Sequence, residues 1–251
     1  MYRYRRNNGF SKPFSLTQIS SWVFVISQII VFIVLTLPLL TPFHLTAACI
    51  MLFLSFSLLI YFWIRVSLAQ VVDDASYNND TTRLCNYCCA NVNPESKHCK
   101  ICNKCVPKFD HHCGILNTCV GMGNYRFFIC LLLSLLLYNC IISGFSGRII
   151  GDYLISNDRF VERNRKVGRF INIHASVVMN FLLCISSSLI NIAVLFLLGF
   201  HMYLRMNDLT TYQFIQQSRI KKEDQNKTGE TVNSSVNKTE IENTKVTPDV
   251  K

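Results

Sequence analysis

Residues 85–119 read CNYCCANVNPESKHCKICNKCVPKFDHHCGILNTC, from Cys85 to Cys119. The stretch holds eight of the chain's twelve cysteines and three of its six histidines. Its thiols are Cys85, Cys88, Cys89, Cys99, Cys102, Cys105, Cys113 and Cys119, and its imidazoles are His98, His111 and His112. Structural zinc takes four such donors in a closed tetrahedron, and Cys-x2-Cys is its commonest clip. Two clips are present, Cys85/Cys88 and Cys99/Cys102. Eleven candidates for two four-ligand sites leave three over, and spacing points to six cysteines and two histidines as the donors. The alternative is a disulfide framework, which needs an oxidising compartment. The charge pattern below puts this stretch in the cytosol, and no cleavable signal peptide is visible, so zinc is expected.

Spacing does not say which three residues are left over; chemistry suggests an answer. His111 and Cys113 follow directly behind Asp110. An acid, an imidazole and a thiol are what an activated sulfur nucleophile needs. The base takes the thiol proton and the carboxylate fixes the imidazole tautomer. A thiol held in a structural zinc site would be closed to substrate.

Outward from this stretch the chain is a membrane protein. Half of its 251 residues are hydrophobic, and they are gathered into long runs. Four spans are expected: Ser21 to Leu40, Phe43 to about Leu68, Phe127 to about Phe145, and Ser176 to about Tyr203. The fold class is therefore an all-α polytopic membrane protein with a two-zinc cysteine-rich domain, over 69–124, between the second and third helices. Residues 1–20 read as a basic tail facing the lipid surface, 146–174 as a polar loop, and 205–251 as a second tail, disordered from about 221 for lack of apolar residues. With four spans, both termini lie on the side of the cysteine-rich domain. That side carries nineteen Lys and Arg against six in loop 146–174. The positive-inside rule places it in the cytosol. Asn180, Ser186, Ser187, Ser188 and Asn191 in the fourth span are expected to face the bundle and bond across helices. The charge of +10 is assigned to the membrane surface, not to nucleic acid.

The longer pattern is specific. Cys-x2-Cys, Pro94, His98-Cys99-x2-Cys102-x2-Cys105-x4-Asp110-His111-His112-Cys113-x5-Cys119 and Gly121-x2-Asn124-x3-Phe128 cover about 45 residues. They resemble the DHHC-type protein S-acyltransferases (palmitoyltransferases). The chain departs from that family at Gly114-Ile115, where Pro-Trp is usual, at Asp73-Asp74-Ala75, where Asp-Pro-Gly is usual, and at Gln213, where Thr-Thr-x-Glu ends in Glu.

The resemblance implies two interleaved structural zinc sites, Cys85/Cys88/His98/Cys105 and Cys99/Cys102/His112/Cys119. It makes Cys113 the nucleophile, His111 its base and Asp110 the orienter of His111. Cys89 is left without a role. The implied reaction moves a palmitoyl group from palmitoyl-CoA, through acyl-Cys113, to membrane-proximal cysteines of substrate proteins. Lys104, Lys108 and Arg126, with Lys97 and Lys100 nearby, are candidates for the CoA phosphates. Tyr138 is the candidate end of an acyl tunnel. A multi-pass endomembrane location, endoplasmic reticulum or Golgi, is expected, and an accessory subunit is left open. Three readings compete with this one: a zinc scaffold without catalysis, a RING-type ubiquitin ligase, and a transporter. A RING closes on a further Cys-x2-Cys, which Cys119 lacks, and a transporter wants ionisable residues within its spans.

Overall fold

The computed structural model describes residues 5–73, 83–155, 158, 160–162, 165 and 172–225. The chain divides into two compact units, Met1–Tyr203 and Leu204–Lys251. Four of its helices are long and apolar enough to cross a membrane. Helix α1 (Leu16–Val31) starts at Ser15, whose hydroxyl accepts a hydrogen bond from the Gln18 amide at 3.1 Å. It continues through a π-helical turn, Phe32–Thr36, and a short 3-10 turn, Leu37–Leu39. Helix α2 (Pro42–Leu68) follows at once, with Pro42 in the first turn, where its missing N–H costs nothing. Helix α3 is Tyr125–Ile155 and helix α4 is Ile173–Met206.

These boundaries run longer than the sequence suggested. The expected loop 146–174 is helical through Ile155, where Arg148 and Asp152 pair one turn apart at 3.1 Å. Of its basic residues, Arg159, Arg163, Lys166 and Arg169 lie outside the described residues. In the second unit a helix covers 211–225, past the expected onset of disorder near 221, and 226–251 lie outside the described residues.

The helices present large apolar side chains outward, among them Phe43, Phe53, Ile155, Phe181 and Phe196. Such a surface belongs against lipid tails. Inside, a few polar groups tie the spans together. Gln28 Nε2 donates to Asn139 Oδ1 at 3.4 Å and to Ser187 Oγ at 3.1 Å. Thr36 Oγ1 donates to Asn180 Oδ1 at 2.7 Å, and Asn180 Nδ2 donates to the Leu35 carbonyl at 3.2 Å. Leu35 lies within the π turn, which loosens the helix's own hydrogen-bond ladder; Asn180 gives its carbonyl a partner from another helix. Asn180 and Ser187 thus face the bundle as the sequence suggested, and both are fully buried.

Between α2 and α3 the chain forms three small antiparallel hairpins: β1 (Arg83–Cys85) with β2 (Ala90–Val92), β3 (Lys97–Cys99) with β4 (Lys104–Val106), and β5 (His111–Cys113) with β6 (Thr118–Val120). Their own apolar content is small: Val71 and Val106 beside three cysteines, and Val92 beside two. So small an apolar interior is common in domains cross-linked by a metal.

Two contacts dock the hairpins on the spans. Asp73, just past α2, accepts from the Asn93 amide at 2.8 Å and from Ser96 Oγ, while its amide donates to the Cys105 carbonyl at 3.0 Å. Asn124 Nδ2, just before α3, donates to the Cys119 carbonyl at 3.0 Å and to the Val66 carbonyl of α2 at 3.4 Å. Asp73 and Asn124 are both buried, so each bond replaces water that is no longer available.

The N-terminal segment makes contacts that its reading as a basic tail does not anticipate. Its described part, 5–15, is seated on the cysteine-rich domain. The Arg6 amide donates to the Cys102 carbonyl at 2.9 Å and the Gly9 amide to the Ser67 carbonyl at 2.7 Å. The sequence hid this because the cementing groups are mainly backbone ones, which carry no compositional signal.

Candidate functional site

The interleaving of the two Cys3His clusters follows from strand geometry. Successive side chains on a strand point to opposite faces. On β3, His98 therefore joins one cluster and Cys99 the other. His98 is registered opposite Cys105 across the hairpin, and both enter the first cluster with Cys85 and Cys88. His112 is registered opposite Cys119, and both enter the second with Cys99 and Cys102. Each clip is followed by a residue in the left-handed region, Cys89 at φ 52° and Asn103 at φ 52°. Cys89 thus occupies a turn position, and its thiol points away from the cluster, toward the Asn86 carbonyl at 3.7 Å.

The donor atoms fit a zinc ion. Within each cluster they all lie within 4.8 Å of one another. Zinc bonds of about 2.1 Å to nitrogen and about 2.3 Å to sulfur would space tetrahedral donors by about 3.6 Å. Cys88 Sγ stands 3.6 Å from Cys105 Sγ, and His98 Nδ1 is 3.2 Å from Cys88 Sγ and 3.8 Å from Cys105 Sγ. In the second cluster His112 Nδ1 is 3.8 Å from Cys99 Sγ, 3.3 Å from Cys102 Sγ and 3.9 Å from Cys119 Sγ. The electrostatics agree. Hydrogen bonds to Cys102 hold Cys99 far below the ordinary thiol value and push Cys119 far above it. Like groups driven apart in this way are a crowded anion set, which a dication would relieve.

The same alternation builds the third group. His111 and Cys113 are two apart on β5 and share a face, opposite His112. His111 Nδ1 is 2.7 Å from Asp110 Oδ2, which leaves Nε2 for the thiol. Asp110 is 3% exposed, and its amide donates to the Val120 carbonyl at 2.9 Å. Burial works against charge on His111, but hydrogen bonds to Asp110 and Cys113 outweigh it and raise the imidazole to about 9. An imidazole so placed accepts a thiol proton readily. Cys113 itself is half-buried and packs against the main apolar cluster of the helix bundle, with Leu116, Phe128 and Tyr138. The thiol therefore sits where the hairpins meet the spans.

Other candidate residues divide. Tyr138 is fully buried in that cluster, 6.0 Å from the Phe56 ring, and its hydroxyl has no partner among the described residues. Lys108 is exposed and pairs loosely with Glu95 at 3.6 Å, and Arg126 is exposed. Lys100 lies over the Tyr87 ring at 5.8 Å. Lys104 is fully buried, with Nζ donating to the Asn7 carbonyl at 3.2 Å. The seated N-terminal segment covers it, so its ammonium is not offered to a phosphate.

One residue escaped the sequence reading. His201 of α4 is buried, with its ring centroid 6.0 Å from that of His111 and 5.2 Å from that of Phe128. Its Nδ1 is 3.2 Å from the Tyr125 hydroxyl, and its donor atom falls within 4.8 Å of those of Asp110 and His111. A single histidine in an apolar helix gives no sequence signal of this.

A thiol beside a buried acid–imidazole pair, at the junction of a cross-linked domain and a membrane helix bundle, equips the molecule for acyl transfer at a bilayer surface. A family model described as DHHC palmitoyltransferase matches residues 78–218, more than half of the chain. The chain belongs to that family and is an acyltransferase of protein S-acylation. No curated protein matches the chain.

Proposed function

We propose that the acyl group passes through Cys113. The observation that carries this is the Asp110–His111–Cys113 line, with the thiol against the apolar bundle. The Cys113 proton goes to His111. The thiolate attacks the thioester carbonyl of palmitoyl-CoA, the carbon–sulfur bond to CoA breaks, and the CoA sulfur takes the proton back from His111. A cysteine thiol of the substrate protein then gives its proton to His111 and attacks acyl-Cys113, which returns to the thiol. One thioester replaces another, so activation and positioning suffice. Asp110 orients the His111 ring and stabilises its charged form.

The eight cluster residues would hold two zinc ions, which supply cross-links between hairpins. Cys113 stays outside both donor sets. Palmitoyl-CoA fits the position of the thiol. Its tail would enter the apolar bundle, with roughly 0.8 kcal/mol per buried CH2, toward Tyr138. Its phosphates would stay outside, near Lys108 and Arg126. Acceptors are substrate proteins with membrane-proximal cysteines, and the cysteine-rich domain and both termini face the cytosol from an endomembrane.

The test is incorporation of a clickable palmitoyl-CoA into the full chain in detergent with metal retained. Hydroxylamine-labile label is expected on the parent and none on Cys113→Ser at equal zinc content. Equal label on both would refute the assignment.

A further inference from the structure

The loop that follows the nucleophile is not self-supporting. Residues 114–117 join β5 to β6, and within the loop the Asn117 amide donates to the Gly114 carbonyl at 3.2 Å. Leu116 anchors it in the apolar cluster of the spans, and most of its polar contacts come from the N-terminal segment. Asn117, in the left-handed region at φ 53°, is buried. Its Nδ2 faces three carbonyls of that segment, Gly9 at 3.3 Å, Ser11 at 3.2 Å and Pro13 at 3.2 Å. Gln18 Nε2 adds a bond to the Gly9 carbonyl at 2.9 Å. A Cβ at Gly9 would stand 2.2 Å from the Leu116 carbonyl oxygen, so the two backbones touch. At the far end, Ser15 Oγ donates to the Gly114 carbonyl. Gly114 is the residue bonded to Cys113, and a Cβ there would stand 2.8 Å from Thr17 Oγ1.

We infer that Ser15 is a positioning residue for acyl transfer: its hydroxyl, at the start of α1, holds the Gly114 carbonyl and so fixes the backbone that aims Cys113 at His111. The hydroxyl has two tasks. As acceptor it caps α1 through the Gln18 amide, and as donor it holds Gly114. One oxygen thus ties the first span to the catalytic loop. Residues 9–13 clasp the other end of that loop through Asn117. Ser15 touches no reacting atom, and it acts through Gly114. The inference rests on Cys113 being the nucleophile.

The two tasks can be separated. Ser15→Gly keeps a residue well suited to a helix start but removes the hydroxyl, whereas Ser15→Thr keeps the hydroxyl. Single-turnover labelling of the full-length protein with clickable palmitoyl-CoA, run across donor concentration, reads the saturating acylation rate and the half-saturating concentration apart. In Ser15→Gly the saturating rate should fall about three- to tenfold, the worth of one hydrogen bond. Half-saturation and zinc content should hold, and Ser15→Thr should label at the parental rate. A parental rate in Ser15→Gly, or a fall that comes with lost zinc or a shifted half-saturation alone, would overturn the inference. Label persisting in Cys113→Ser would instead remove the nucleophile assignment, and the role of Ser15 with it.

Discussion

At the scale of the residue, the alternation of β5 is what the proposed chemistry rests on. His111, His112 and Cys113 are consecutive, and strand alternation puts the middle one in a Cys3His cluster and the outer two on the opposite face, where the proposed mechanism uses them. In the sequence this division is legible only as three donors in excess of eight, and the family resemblance implies which three. His201 was not legible, because its closeness to His111 depends on where α4 crosses, 90 residues along the chain. Its ring walls the imidazole and bonds Tyr125. His201→Phe should keep the wall and lose the bond, slowing Cys113 labelling severalfold at unchanged zinc content. Labelling at the parental rate would make His201 a packing residue. His111→Ala should be far worse, with about 10²-fold or more lost in rate at saturating donor, because it removes the imidazole that Asp110 orients toward the thiol.

The cysteine-rich hairpins are elements with almost no core of their own. Val71, Val92 and Val106 pack against ligand thiols, while Leu116 and Val120 are buried against the spans and not among the hairpins themselves. Two metal ions per chain are expected by elemental analysis. Stripping them with a strong chelator should expose the thiols of Cys99, Cys102 and Cys119 to alkylation and abolish labelling of Cys113, although Cys113 is in neither cluster. Labelling that survives complete metal removal would show that the hairpins stand without it. From sequence, the basic residues of the N-terminal element suggest a lipid-facing tail and do not point to a seat on the cysteine-rich domain. Its seat is instead built from carbonyls offered to Asn117, Lys104 and Gln18, which residue composition does not reveal. The same seat removed Lys104 from the candidate CoA contacts.

Over the whole molecule, the spans were the most readable feature, since runs of apolar residues announce themselves whatever the tertiary context. Their ends were less so. Helix α3 outlasts its apolar stretch by carrying Arg148 and Asp152 as a one-turn pair. Which polar residues meet across helices is also only partly visible in the sequence: Asn180 and Ser187 are candidates there, but their partners Thr36 and Gln28, and Asn139, which Gln28 also bonds, carry no such signal. In the proposed function the half-buried Cys113 thiol, packed against the bundle, meets apolar tails from one side and acceptor thiols from the other, and acyl-Cys113 is an intermediate and not a by-product. The most direct test is peptide mapping of the enzyme after brief exposure to palmitoyl-CoA, removal of free donor, and a chase with an acceptor cysteine peptide. The account predicts a thioester on the peptide containing Cys113 that disappears in the chase as acylated acceptor appears in equal amount. A Cys113 adduct that persists while the acceptor stays unmodified, or an acceptor acylated only while free donor is present, would contradict it.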